Sequence, residues 1–335
     1  MVRVGQNPMK FHDHGIPWKE VTFVTAVHIP ELLGYWKESL DVLKVCLESL
    51  HQDQSIPFDI MVIDNGSCAE VRAYLELMFG DGKIQFLISS EYNLGKGGAL
   101  NMGLAAAPGK YLAYSDCDVL FQPGWLKESL ALFQALPRVG MVTARPNRSK
   151  KSLLGGKYQA TLELLKTTAA KISSGKLIEE DVLAQHAVSA GYDLNYEDFD
   201  CDDTLVELNG TKAYVGAYHF QFLTSKNVAS QILPLDASSS LSSGPDHAWD
   251  KRMNDLGYAK FTVTRPFCQH LGNTLQGETV ATLLGEGSAG IARRGTPTQW
   301  QPNSRLARFL GFFLRIPKVR GLYTYLYRVL FEVIS

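Results

Sequence analysis

Residues 111–122 read YLAYSDCDVLFQ: an apolar, strand-like run meets two aspartates, Asp116 and Asp118, and then turns hydrophobic again. Side chains two apart in an extended chain share a face, so this pair can offer carboxylate oxygens to one ion. Two charges so close to an apolar run must be hydrogen-bonded, ion-paired or metal-bound. The surrounding chain repeats the theme. From Val21 onward the short β-rich runs VTFVTAV, DIMVI, KIQFLI, KYLAYS and VGMVT are separated by segments of helical spacing. In WKESLDVLKVCLESL, for instance, Leu40, Leu43, Leu47 and Leu50 fall on one helical face. Such alternation predicts an α/β fold, a mostly parallel sheet with helices on both faces. Ligands of these sheets gather beyond the carboxyl ends of the strands. Asp64, after DIMVI, and Asp116, after KYLAYS, both fall there.

Composition narrows the function. The chain has 335 residues, enough for one large α/β domain or two ordinary ones. Its 33 basic residues balance 34 acidic ones, so no general affinity for nucleic acid is expected. The five cysteines are scattered, with no C-x-x-C, which argues against a disulfide framework and a zinc site and suits a reducing cytoplasm. The opening MVRVGQNPMKFHDHG lacks the apolar core of a signal peptide, and no stretch approaches bilayer-spanning length. A cytoplasmic protein, soluble or peripheral at a membrane, is expected.

Beyond about residue 145 the pattern changes to a polar, helical-looking stretch and then to the acidic NYEDFDCDDTLVELNG. A calcium loop would need Gly where Asp203 stands and Glu where Asn209 stands, so this segment reads as a solvated loop. AYVGAYHFQFL then reads as strand, PDHAWDKRMNDLGY as helix and KFTVT as a further strand.

Glycine motifs exclude two cofactor classes. LGKGGALNMG contains G-x-G, but Leu100 stands where a dinucleotide fingerprint needs glycine, and no Gly-Lys pair precedes Ser or Thr as in a P-loop. A haloacid-dehalogenase-like phosphohydrolase also uses D-x-D after a strand. There it follows the first strand, whereas DCD here follows the fourth.

The segments VIDNGS (62–67), NLGKGGALNMG (93–103), YLAYSDCDVLFQPGWL (111–126), SGPDHAWDKRMNDLGY (243–258) and QHLGN (269–273) resemble, in order and spacing, the family-two glycosyltransferases of GT-A fold. The resemblance covers roughly residues 20–275, and five linked segments make it more specific than a lone D-x-D. It implies an inverting transfer from a nucleotide-diphosphate sugar, a UDP-sugar being favoured, to a hydroxyl of a carbohydrate or other acceptor. Expulsion of a nucleoside diphosphate needs charge neutralisation, which a divalent metal held by few carboxylates supplies. Asp116 and Asp118 match the family's metal-binding pair, and His270 in QHLGN matches the histidine that completes the site. Such a donor set takes Mn2+ or Mg2+.

On the same resemblance, Asp64 and Asn65 in IDNGS and Lys96 in NLGKGG match positions that contact the nucleotide. Gly97 belongs to the run that lets backbone approach a ligand closely. Inversion requires a base for the acceptor hydroxyl. The family places it in an E-D or D-D pair opening a helix; here Pro245 replaces the first acid, which makes Asp246 the candidate base and Asp250, one turn on, its rival. The eleven-residue step from Asp246 to Gly257 fits the family spacing. Trp249 offers a flat surface for a sugar ring if it faces the cleft.

Two features depart from that pattern, and two segments follow the matched region. HIPELLGYWKES forms a longer aromatic loop after the first strand, and residues 150–212 match no motif and are assigned to the acceptor side. The Gly/Ser/Thr-rich segment after His270 suits a loop closing over a nucleotide, with Arg293 and Arg294 meeting phosphate oxygens. Residues 303–333 carry six basic residues against Glu332 and two apolar faces, which suits packing on protein, including a homodimer partner, or contact with an anionic membrane. The expected layout is a GT-A domain over 1–275, split into a nucleotide-sugar half (1–145) and an acceptor half (146–275), then a loop and basic amphipathic helices over 276–335. The alternatives are a haloacid-dehalogenase-like phosphohydrolase with Asp116 as nucleophile and, from another class, a non-catalytic GT-A-like module that binds carbohydrate or a partner.

Overall fold

The computed structural model describes residues 5–7, 10, 15, 17–53, 55–148, 156–190, 201–236 and 244–275. The expected tail helices, Arg293 and Arg294 lie outside the described residues. The strands are β1 (Val21–Val27), β2 (Phe58–Asn65), β3 (Phe86–Ser90), β4 (Tyr111–Asp116), β5 (Val119–Phe121), β6 (Val139–Thr143), β7 (Lys171–Gly175), β8 (Asp203–Leu208), β9 (Thr211–Val215), β10 (Gln221–Ser225), β11 (Ala259–Thr262) and β12 (Cys268–His270). The helices are α1 (Ser39–Gln52), α2 (Ala69–Gly80), α3 (Gly95–Ala106), α4 (Trp125–Ala135), α5 (Gln159–Lys166), α6 (Glu180–Ala190), α7 (Lys226–Ile232) and α8 (Gly244–Asp255).

Ten strands form one sheet in the order β3-β2-β1-β4-β10-β6-β11-β9-β8-β7, and β12 pairs with β5 in a separate ribbon. The first four strands are mutually parallel. Because the chain steps from β1 to β2 to β3 and then crosses back to β4, the strand order reverses between β1 and β4. Right-handed crossovers then place α3 on the face opposite α1 and α2, and the reversal opens a crevice beyond Val27 and Asp116. Strands covered on both sides read as continuous apolar runs. VTFVTAV meets that requirement, with Thr22 and Thr25 fully buried beside Val21, Phe23, Val24 and Val27.

The packing depends on particular residues. A Cβ added at Gly103 would lie 2.7 Å from Val24 Cγ1 and 3.1 Å from Ile63 Cγ1, so glycine lets α3 settle onto β1 and β2. Trp125 is the hub of the opposite layer, its ring centroid 4.7 Å from Phe121, 5.9 Å from Phe58 and 6.1 Å from Phe23.

Three expectations need correction. The sheet is mixed, with parallel pairing confined to β3-β2-β1-β4 and β6-β11, because β10 runs antiparallel to both β4 and β6. The stretch AYVGAYHFQFL is two strands, β9 and β10, that lie apart in the sheet. The acidic segment is not a solvated loop from Asp203 onward. Asp203 opens the edge strand β8, is buried, receives Arg148 Nε and Nη2 at 2.9 and 3.0 Å, and accepts the backbone N–H groups of Leu177 and Ile178. A buried carboxylate with four donors has no oxygen left for calcium. Because β10 and β11 sit against β4 and β6, the two expected halves share one sheet. The five cysteines are free. Among the described residues no helix is long and apolar enough to cross a membrane.

Candidate active site

The carboxyl edge of the parallel strands gathers groups from distant parts of the chain. Asp116 ends β4, and Lys96 projects from the first turn of α3 to within 3.3 Å of its carboxylate. The same ammonium lies 3.7 Å from Asp246, in the first turn of α8. His270 arrives by strand pairing: β12 runs antiparallel to β5, the backbone N–H of Leu271 donates to Asp118 O, and His270 Nε2 comes within 3.3 Å of Asp118 Oδ2. Lys96, Asp116, Asp118, His270 and Asp246 therefore share one neighbourhood.

Burial sets the electrostatics. It pushes the Asp116 carboxyl up, Lys96 opposes it, Asp118 reinforces it, and the pKa ends above the ordinary carboxylate value. Tyr114 donates its hydroxyl to Asp116 Oδ1 at 2.7 Å. Burial also works against the Lys96 ammonium, but Asp116 and Asp246 outweigh it, and its pKa stands above the usual lysine value. His270 follows the same logic: burial lowers its pKa, and the hydrogen bond and charge of Asp118 raise it past the ordinary value.

The residues fit a divalent cation in chemistry. Asp118 Oδ1 is buried without a hydrogen-bond partner, and carboxylate plus imidazole is a donor set that manganese and magnesium tolerate. Among the described residues, however, no three acidic, His or Cys side chains already form a ligand sphere. Asp118 and His270 adjoin, while the oxygens of Asp116 are engaged by Tyr114 and Lys96.

The residues expected to touch the nucleotide are placed less directly. The Asp64 side chain has no exposed surface: Oδ1 accepts the backbone N–H of Ser67 at 3.0 Å and Oδ2 lies 3.5 Å from Arg72 Nε. As placed, it holds the turn after β2. Asn65 accepts the Leu94 N–H at 2.8 Å and donates to Asn93 at 3.0 Å, which fixes the loop that delivers Lys96. Gly66, at φ +78°, permits that approach, since a Cβ there would stand 3.0 Å from the backbone of Tyr92 and Asn93. Gly97 is buried in the first turn of α3.

On the other side of Lys96, α8 divides its residues between core and cleft. Trp249 is only 1% exposed, its ring 5.2 Å from Phe222, so it cannot stack on a sugar as expected; position 249 faces the core. Asp246 and Asp250 face a cavity of about 560 Å³ lined also by Lys157, His219, His247 and Asn254. Asp250 lies 2.6 Å from Lys260 Nζ, 3.0 Å from His219 Nε2 and 3.6 Å from Lys157 Nζ. Burial would raise its pKa, but His219, Lys157 and Lys260 outweigh that and hold it well below the ordinary range. With both oxygens engaged, Asp250 is the weaker candidate for a base, and the more exposed Asp246 the stronger.

Sequence reasoning did not find Tyr114, Lys157, His219 or Lys260. One signal was available: a lysine inside the apolar strand AKFT is out of place unless a buried carboxylate awaits it, and Lys260 is fully buried. Nothing local singles out Lys157, since its contact depends on residues almost a hundred positions away.

Comparisons with known proteins agree with this picture. Glycosyl transferase family 2 matches residues 35–186, the part that holds Asp64, Lys96, Asp116 and Asp118. The succinoglycan biosynthesis protein ExoO of Rhizobium meliloti (strain 1021) is 27% identical over 173 residues, 52% of this chain and 46% of that protein. The amylovoran biosynthesis glycosyltransferase AmsE of Erwinia amylovora is 29% identical over 105 residues, 31% of this chain and 40% of that protein. The chain thus spans less than half the length of these relatives. Among solved structures, the mannosyltransferase PcManGT from Pyrobaculum calidifontis, in complex with GDP-Man and Mn2+, aligns over 84% of this chain and 69% of its own, at 13% identity and a TM-score of 0.47. With its reversed parallel strands and its D-x-D edge on a mixed α/β sheet, the chain carries over residues 35–186 a segment that matches glycosyl transferase family 2.

Proposed function

We propose that the protein moves a sugar from a nucleotide-diphosphate sugar to a hydroxyl of a carbohydrate acceptor, with inversion at the anomeric carbon. The observation that carries this reading is Lys96, whose ammonium stands between Asp116 and Asp246 at 3.3 and 3.7 Å. A donor-side carboxylate and a candidate base are thereby held within one side chain's reach. Two relatives named for succinoglycan and amylovoran biosynthesis support a glycan as acceptor, and a UDP-sugar is the donor we favour.

Asp118, His270 and Asp116 would hold Mn2+ or Mg2+, which neutralises charge on a departing diphosphate when bound. Lys96 adds a cation on the same side, and a lysine acts there as a point charge toward phosphate oxygens. Asn65 keeps the loop before Lys96 in place. Asp246 takes the proton of the acceptor hydroxyl as that oxygen attacks from the face opposite the leaving group. The cavity beside Asp246 and Asp250 receives the acceptor, and its His, Lys and Asn side chains supply hydrogen bonds to sugar hydroxyls.

Two variants separate donor binding from chemistry. Asp118→Ala should abolish manganese-dependent stabilisation by nucleoside diphosphate in a thermal-shift assay. Asp246→Asn should keep that stabilisation and lower transfer by about 10²- to 10⁴-fold. Transfer retained by Asp246→Asn would remove it as the base, and metal-independent nucleotide binding in Asp118→Ala would remove the cation site.

A further inference from the structure

The imidazole of His219 stands between two carboxylates of one helix. Its Nε2 is 3.0 Å from Asp250 Oδ2 and its Nδ1 is 3.8 Å from Asp246 Oδ1. Asp246 and Asp250 are four residues apart on α8 and so share a face, which lets a single ring from the segment before β10 reach both. We propose that His219 is a positioning residue that draws the acceptor's proton off Asp246, held in the required orientation by Asp250. This inference rests on the reading of Asp246 as the base.

The argument begins with Asp250, which works as an anchor. Lys260 is fully buried and only 2.6 Å away, and Lys157 approaches from α5's side at 3.6 Å. A carboxylate held by two ammonium groups stays ionised and accepts a hydrogen bond from the ring nitrogen that faces it. That places the ring proton on Nε2 and leaves the lone pair of Nδ1 toward Asp246. Around the ring, Lys96, Lys157 and Lys260 face Asp116, Asp246 and Asp250, three cations against three anions.

In the transfer step the acceptor O–H bond breaks and its proton goes to Asp246. The acceptor oxygen bonds the anomeric carbon, and the bond from that carbon to the diphosphate oxygen breaks with its electron pair on the leaving group. Asp246 is now a neutral acid beside an imidazole lone pair. Passing the proton to Nδ1 restores the Asp246 carboxylate and creates an imidazolium between two anions. The proton then leaves through the open cavity that His219 lines together with His247 and Lys251. The 3.8 Å separation must shorten to hydrogen-bond length, and catalytic contacts commonly tighten only in the substrate complex. Asp246, with about a quarter of its side chain exposed, has room to turn.

Two measurements test this on the full chain. Nitrogen NMR of the histidine rings should find His219 protonated on Nε2 in the neutral form; the Nδ1-protonated tautomer would overturn the proposal. In transfer assays, His219→Gln should lower kcat about 10- to 100-fold, with the KM for donor and the manganese-dependent nucleotide stabilisation unchanged. Its pH–rate profile should differ in shape from that of the unmodified enzyme. Added imidazole should restore part of the rate to His219→Ala, while pyrazole, equal in shape but hardly basic, should not. Equal rescue by both would reduce His219 to a filler of space. A His219→Gln enzyme with wild-type kcat and pH profile, alongside an inactive Asp246→Asn, would overturn the relay and leave the transferase reading standing. An active Asp246→Asn would overturn the base and the relay together.

Discussion

The two sides of Lys96 are built by different means. On the side proposed to bind the donor, Asp116, Asp118 and His270 sit on strand ends and a short ribbon, and each reaches its neighbour through backbone pairing close at hand. On the side proposed to bind the acceptor, Asp250 draws partners from α5's approach, from the residues before β10 and from β11, and its charge is settled by a lysine with no exposed surface. Asp116 and Asp118 stay partly exposed, and Asp118 Oδ1 lacks a hydrogen-bond partner, as suits groups that must accept a ligand; Asp250 is over-supplied and fixed, as suits a group that must not move. The difference teaches that charge near a reaction centre serves either binding or rigidity, and the partners reveal which.

Removing the lysines one at a time exposes the contrast most strongly. Lys260→Met leaves Asp250 buried with less compensation, and breaking a buried pair from one side costs about 3–5 kcal/mol. Lys96→Met removes a partly exposed charge and should cost about 1 kcal/mol of stability, while weakening nucleotide binding. Urea unfolding of both variants measures the gap. Equal losses would mean that the two sides are not built differently at all.

The same contrast explains what was legible in the sequence. The parallel half of the fold was readable because strand and helix alternate locally: VTFVTAV and VGMVT coincide with β1 and β6. The donor groups were readable because each lies in a contiguous motif. The reversal of β10 was not, since AYVGAYHFQFL carries the same apolar texture in either direction and only its insertion between β4 and β6 sets its sense. Trp249 was misjudged for a related reason. A helix starting at Gly244 has its cleft and core faces set by neighbours, and Phe222 claimed the aromatic side. The Asp250 cluster was hidden because its members come from positions 157, 219, 250 and 260, a pattern that exists only after folding.

A smaller effect is expected at Asn65, the residue that ties the turn after β2 to the loop before Lys96. Asn65→Ala leaves the Leu94 N–H without its acceptor, at about 1–3 kcal/mol if the group stays buried and less if water reaches it. The loss should fall on the donor side alone: nucleotide binding weakens, while hydrogen exchange in α8 and β11 is unchanged. Faster exchange in α8 would show that the two sides are coupled through Lys96 more tightly than their separate construction suggests.

Mild acid supplies the finest discrimination, because the two sides answer protons differently. His186, on α6, lies stacked against Phe220 with ring centroids 5.0 Å apart and stands 5.9 Å from His270. Burial, then the charges of His270 and Arg145, lower its pKa to about 3. The unfolded chain therefore binds a proton near pH 6.5 that the folded chain refuses, so this contribution is complete above pH 6.5 and is lost as pH falls toward 3. Between pH 7 and 5.5 that amounts to about 1 kcal/mol. Asp250, across Lys96 from His270, is held well below its usual range and stays ionised through this window. His186→Phe should flatten the pH dependence of the urea midpoint by that amount. In the unmodified protein, acid should quicken hydrogen exchange in α6 and β12 before it does so in α8 and β11, and the reverse order would place the acid-sensitive element on the acceptor side.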